Sequence, residues 1–188
     1  MVMFVRTQRL TLRPGWPEDA SALMQAIGHE NVVRNLSRAP WPYPMEAAET
    51  FLSSFDNPVD TKFLVFEHRD GATRLIGGTG LSEWKDEPNE FGYWYTPAAW
   101  GNGFATEAGR AVLNAARSRG IRRVTAGHFI DNPASGRVLR KLGFRPTGQL
   151  VSVYSRGRGC EAPTTRYEID LREDDCSGGG DEDHRMAA

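Results

Sequence analysis

The chain has 188 residues and a nearly even charge balance, 23 basic against 24 acidic side chains, a length that suits one domain with its own core. That balance gives neither nucleic acid nor an anionic membrane a global footprint, and two cysteines, Cys160 and Cys176, lacking CxxC spacing or a nearby histidine pair, predict neither a disulfide framework nor a metal site. No run nears the roughly 18 apolar residues of a membrane span and the N-terminus lacks a leader pattern, so the expectation is a soluble, unprocessed, cytoplasmic protein, monomer or homodimer.

Residues 9–13 alternate polar and apolar as a strand does, and Pro14 and Pro17 end that strand before a helical stretch at 18–27. A helical pattern over 31–55 is interrupted by the run Pro40, Trp41, Pro42, Tyr43, Pro44, because proline lacks a donor and fixes φ. Two short helices flanking a stiff aromatic loop are therefore predicted. Strand patterns at 62–68, 73–82 and 90–96, separated by polar turns, read as an antiparallel meander. Ala105, Ala108, Ala111, Val112, Ala115 and Ala116 then recur at helical spacing, with Gly120 placed to end the helix.

A strand at 123–130 precedes a short helix at 132–142, with Asn132 as N-cap, Pro133 at the first helical position and Gly143 just past the end. Strands at 145–154 and 164–171 enclose the basic loop 156–159. The fold class is thus α+β: a twisted, mostly antiparallel sheet with helices on both faces. Residues 1–171 form the domain, and the acidic, glycine-rich tail 172–188 is predicted to be disordered.

The segment WGNGFATEA, residues 100–108, lies between strand and helix where a cofactor pyrophosphate would be held. Gly101 and Gly103 let the backbone approach closely, and the unpaired amides of a helix starting near Phe104 attract an anion. The glycines alone are equally compatible with a plain tight turn. No Walker loop is present, the segment departs from GxGxxG at its last position, and it follows a meander rather than the first strand of a parallel unit. Acetyl-coenzyme A is therefore preferred to NAD, with no metal.

The stretches EFGYW (90–94), WGNGFATEA (100–108) and NPASGRVLRKLGF (132–144) resemble the GCN5-related N-acetyltransferase superfamily, in its ribosomal-protein N-terminal acetyltransferase branch. The resemblance runs from Arg9 to Leu171, with Trp100 where Gln or Arg usually stands. It implies a splayed parallel strand pair, with the pantetheine arm meeting backbone at Trp94, Tyr95 and Thr96. It implies pyrophosphate contact at Gly101, Asn102, Gly103, Phe104, Ala105 and Thr106, and places Asn132 and Ser135 near the thiol. The tyrosine acid usual in that superfamily is replaced here by Leu139.

Acetyl transfer needs a neutral amine. At pH 7 an α-amine of pKa ~8 costs about 1.4 kcal/mol to deprotonate and a lysine about 4.6 kcal/mol, so the base matters more for lysine. Glu90 is the candidate base and Ser135 the candidate acid; the alternatives are a solvated charge after a turn and a serine bonding its own backbone. Arg137, Arg140 and Lys141 either reach the coenzyme 3′-phosphate, with Arg137 preferred, or form an exposed face. A lone His128 on a central strand reads as structural rather than catalytic. The aromatics between Trp41 and Pro44 cover the core or wall the acceptor site. The expected function is acetyl transfer to a primary amine, a protein N-terminus or a small molecule; the alternative is a coenzyme-binding module that has lost catalysis.

Overall fold

A computed structural model describes residues 4–56, 61–69, 71–85 and 87–172. Its strands are β1 (Val5–Arg6), β2 (Leu10–Arg13), β3 (Thr61–Arg69), β4 (Ala72–Trp84), β5 (Glu87–Tyr95), β6 (Arg123–Phe129), β7 (Arg145–Ser155) and β8 (Cys160–Asp170). The helices are α1 (Ala20–Ile27), α2 (Glu30–Val33), α3 (Met45–Ser53), α4 (Phe104–Ser118) and α5 (Pro133–Lys141). The strands form one eight-stranded sheet in the order β1-β2-β3-β4-β5-β6-β8-β7. Every neighbouring pair is antiparallel except β5 and β6.

Strand alternation divides the core between the two faces of this sheet. On one face α4 buries Phe104, Ala108, Val112, Leu113 and Ala116 against Leu10, Leu12, Ile76 and Phe91. Its small residues let it lie close: a Cβ on Gly109 would stand 2.6 Å from Leu142 Cδ1. On the other face α1 and α3 bury Leu23, Ala48 and Leu52 with Leu64, Phe66, Leu75 and Trp94. Trp94 and its neighbours Tyr93 and Tyr95 thus serve opposite sides of one strand.

The expected meander, the broken helical region and both later helices are present. Gly120 (φ 78°) and Gly143 (φ 92°) follow α4 and α5 in left-handed conformations, as their positions predict. Three details differ from the sequence reading. The helix expected at 18–27 opens as a 3₁₀ turn, Pro17–Asp19, before α1 begins. A further two-residue strand, β1, precedes β2. Strand β8 starts at Cys160 rather than 164, because its first residues pair with β7, from Cys160 opposite Ser155 to Pro163 opposite Ser152.

No helix among the described residues is long and apolar enough to cross a membrane. The expected disorder of the tail concerns residues that, apart from Arg172, lie outside the described ones, as does Cys176.

Candidate active site

The glycine-containing turn is built to leave donors open. After β5 and a short 3₁₀ turn, the Trp100 indole N–H donates to the Tyr95 carbonyl at 2.7 Å and ties the loop to the strand it has just left. Gly101 (φ 78°) and Gly103 (φ 79°) take left-handed conformations that a side chain would strain. The Gly103 carbonyl accepts from the amides of Thr106 (3.1 Å) and Glu107 (3.0 Å), the first bonds of α4. The amides of residues 101–105 therefore have no backbone acceptor among the described residues. Together with the positive end of the α4 dipole they suit a pyrophosphate, and the space above Gly101 is open.

Glu107 in the first turn of α4 would oppose an anion if left free. Its carboxylate instead accepts from the Thr7 hydroxyl (2.5 Å), the Arg9 amide (3.1 Å) and Arg9 Nε (2.8 Å). Burial pushes the Glu107 carboxyl up, but these bonds outweigh it and hold the group below its ordinary range. Arg9 also donates from Nη1 to the Asn102 carbonyl (3.0 Å) and lies 4.5 Å from the Phe104 ring centre. One arginine from the turn just before β2 thus neutralises the carboxylate and braces the loop.

Strands β5 and β6 touch through two pairs only, Glu90 with Thr125 and Phe91 with Ala126. Beyond them the strands part, and a cavity of about 1470 Å³ runs from the loop and α5 on one face of the sheet to α2 and α3 on the other. Trp94, Tyr95, Gly101, Gly103, Phe104, Ala105 and Thr106 line it. Thr96 and Asn102 do not: Thr96 is buried with its hydroxyl 3.5 Å from His29 Nε2, and the Asn102 side chain donates to the Trp100 carbonyl at 3.1 Å.

On the α5 side, Asn132, Ser135, Arg137 and Lys141 face the same cavity. Asn132 caps α5 by accepting from the Ser135 amide at 3.3 Å. Arg140 points elsewhere, donating to the Tyr167 hydroxyl at 3.2 Å. His128 also lines the cavity, and it packs: its ring meets Tyr167 at 5.4 Å, and a Cβ on Gly136 would stand only 2.6 Å from Nε2, so glycine lets α5 rest on it. Pro42, Tyr43 and Pro44 line the cavity, while Trp41 is exposed outside it.

The two catalytic candidates occupy opposite faces of the sheet and meet the cavity from either side of the splay. The Ser135 hydroxyl lies 2.6 Å from the Tyr93 hydroxyl. Burial pushes the Tyr93 phenol up to about 12, so it stays neutral at physiological pH and can donate. Leu139, where the superfamily's tyrosine was expected, is a core residue 1% exposed. Glu90 is held in a bidentate pair, accepting from Arg166 Nη1 (2.8 Å) and Nη2 (2.6 Å), and also from the Thr125 hydroxyl (2.8 Å). Its side chain is 16% exposed and that of Arg166 11%.

Sequence reasoning missed Tyr93, Arg166 and the Arg9–Glu107–Thr7 cluster. For Tyr93 a signal existed: strand alternation puts it on the same face as Phe91 and Tyr95, toward the helix carrying Ser135. Arg166 meets Glu90 across 76 positions, and no local pattern encodes that pairing.

A family model for the GNAT acetyltransferase domain matches residues 9–145. The chain belongs to the GNAT acetyltransferase family. An uncharacterized N-acetyltransferase of Bacillus subtilis, YoaA, is 31% identical over 177 residues, covering 90% of this chain and 97% of its own. Among solved structures, a GNAT-family acetyltransferase from Bacillus anthracis superposes with a TM-score of 0.76 at 23% identity, over 91% of this chain and 100% of that one. RimL, a ribosomal L7/L12 α-N-protein acetyltransferase solved in complex with coenzyme A, gives 0.74 at 19% identity, over 89% and 98%. These two likenesses speak for the fold. Family membership makes this GNAT protein an acetyltransferase with a mixed sheet and one splayed parallel pair.

Proposed function

We propose that this GNAT protein binds acetyl-coenzyme A along the Gly101–Gly103 turn and transfers the acetyl group to an α-amine reaching the splay from the α2 and α3 side. The single observation that carries this reading is the continuous cavity opened by the two-pair contact between β5 and β6, because it joins an anion-binding loop to a separate entrance through the sheet. Bound acetyl-coenzyme A would supply a thioester carbonyl, the C–N bond forming as the C–S bond breaks and the thiolate leaves.

In this reading the amides of residues 101–105 hold the pyrophosphate, and Arg137 and Lys141 on α5 offer charge to a further phosphate. Asn132 sets the first turn of α5, so that Ser135 is presented to the departing sulfur. Ser135 donates a hydrogen bond to the departing sulfur, Tyr93 donates in turn to the Ser135 oxygen while staying a neutral phenol, and the thiolate takes its proton from solvent as it leaves. A thiol of pKa around ~8.5 leaves tolerably without help, so this pair assists rather than decides.

Glu90 accepts the proton lost by the amine, directly or through one water. Both of its oxygens already accept hydrogen bonds, and Arg166 positions it. Deprotonation at pH 7 costs about 1.4 kcal/mol for an α-amine and about 4.6 kcal/mol for a lysine side chain. That contrast favours protein N-termini and amino compounds over internal lysines as acceptors.

Thiol release from acetyl-coenzyme A in the presence of an amine panel tests the reading. Calorimetric binding of coenzyme A without transfer to any amine would return the protein to the binding-module alternative, which the leucine at position 139 motivates. Gly103→Val should abolish coenzyme binding by calorimetry, since a branched side chain is strained at its positive φ.

A further inference from the structure

The end of the cavity away from α4 and α5 carries an excess of positive charge. Among the described residues its lining there includes Arg34, Arg38, Arg156 and Arg166 against Glu46, Glu90 and Asp131, an excess of one. These cations lie on the face of the sheet opposite the pyrophosphate turn, so the coenzyme phosphates do not account for them.

Tracing the carboxylates shows which cations are satisfied. Glu90 is taken by Arg166. Asp131 is shared by Arg34, at 3.2 Å, and by Arg158, at 2.8 Å, which itself sits behind the wall. Glu46 belongs to the facing wall, on α3.

Arg38 and Arg156 have no carboxylate partner among the described residues. The Arg38 guanidinium is nonetheless fixed: Nη2 donates to the Glu83 carbonyl at 2.6 Å and the group lies 5.0 Å from the Trp84 ring centre. Arg156 is anchored through its backbone, its amide donating to the Ser37 carbonyl at 2.9 Å. Arg38 thus offers a fixed guanidinium with donors to spare, and Arg156 an exposed one on a segment stitched to that of Arg38. Guanidinium groups match a carboxylate in geometry as well as charge.

We infer that the acceptor is an α-amine carried on an anion, a free amino acid with an acidic side chain or a peptide with an acidic N-terminal residue, whose carboxylate is held by Arg38 and Arg156. This rests on the transfer reading above and narrows its acceptor. The same cations disfavour the ammonium form of the incoming amine, easing the demand on Glu90. They also disfavour polyamines, which would bring further positive charge into the cavity.

The test uses charge-matched twins in the thiol-release assay: L-glutamate against L-glutamine, a tetrapeptide starting Asp-Asp against one starting Asn-Asn, and spermidine. Glutamate or the acidic peptide should exceed its amide twin in kcat/KM by about tenfold or more, mostly through KM, with the gap shrinking as salt rises. Whichever pair shows the gap identifies the source as free amino acid or peptide. In the double variant Arg38→Gln, Arg156→Gln the gap should collapse, circular dichroism confirming that it folds. Equal or faster turnover of the amide twins or of spermidine, or a gap that survives in the double variant, overturns the inference while leaving acetyl transfer standing. If no amine is acetylated, the transfer reading fails, and calorimetry of glutamate and the peptides on the coenzyme-A-loaded protein decides the charge question. Selective anion binding lost in the double variant supports it, and equal binding of the amide twins refutes it.

Discussion

Glu90 and Arg166 show how one residue can hold two duties. In the proposed reaction the carboxylate receives the amine proton, and it also neutralises a guanidinium with little access to solvent. Glu90→Gln should therefore cut acetyl transfer by about a hundredfold and also lower stability by about 1–3 kcal/mol, since Arg166 loses a charged partner. Steady-state kinetics and urea denaturation on the same preparation read both, with coenzyme affinity preserved. A rate loss without a stability loss would mean that the pairing with Arg166 contributes little in solution.

Tyr93 makes a narrower case: Tyr93→Phe removes the phenol beside Ser135 but keeps the ring packed on Phe91. A drop in kcat of about tenfold, smaller for acyl donors with more acidic leaving thiols, would identify hydrogen-bond donation toward the departing sulfur. An equal drop for every donor would identify mere packing.

At the scale of elements, the glycine turn proposed to hold the pyrophosphate depends on residues far from it in sequence. Arg9 holds the Asn102 carbonyl and cancels Glu107, so Arg9→Ala should weaken coenzyme A binding by roughly tenfold while leaving kcat at saturating coenzyme nearly unchanged. A fall confined to kcat would refute the bracing role. How much of this was legible in the sequence differs between elements. The α5 helix announced itself at both ends, through Asn132, Pro133 and Gly143, because caps are local chemistry. The turn at 101–103 was equally readable, since glycines at such a turn point to positive φ. The bracing of that turn was not, because Thr7 and Arg9 meet Glu107 across about a hundred residues. Likewise Glu90 was legible as a carboxylate on the right strand, but its partner depended on β8 being two strands away in the sheet.

Across the whole molecule, depressed carboxyl groups tie β2 and the turn before it to both helical layers. Burial pushes Asp19 up, but the hydrogen bonds from Arg13 and the Trp16 amide outweigh it, and the group ends below its ordinary range as Glu107 does. A carboxyl whose folded pKa is lowered contributes stability that is fully present above the unfolded value, ~3.9 for Asp and ~4.3 for Glu, and is lost as pH falls through the folded value. Stability should therefore be flat from neutral pH down to about 5 as far as these two groups are concerned, and fall below about 4. Denaturant titrations across that range check this, and Glu107→Gln should flatten part of the acid limb. An unchanged slope in the variant would show that Glu107 is not among the groups responsible.

The wall proposed to meet the acceptor joins residues 34–38 to the 155–158 turn, where the Ser155 hydroxyl donates to the Leu36 carbonyl at 2.7 Å and the Arg156 amide to that of Ser37. That stitching has a consequence for the order in which a chain growing from its N-terminus becomes competent. The coenzyme turn and α4 are made well before residue 156 exists, and Glu90 waits for Arg166. A nascent chain would thus acquire its grip on the donor first, and the surface that chooses what is acetylated would close only when the last hairpin had left the ribosome.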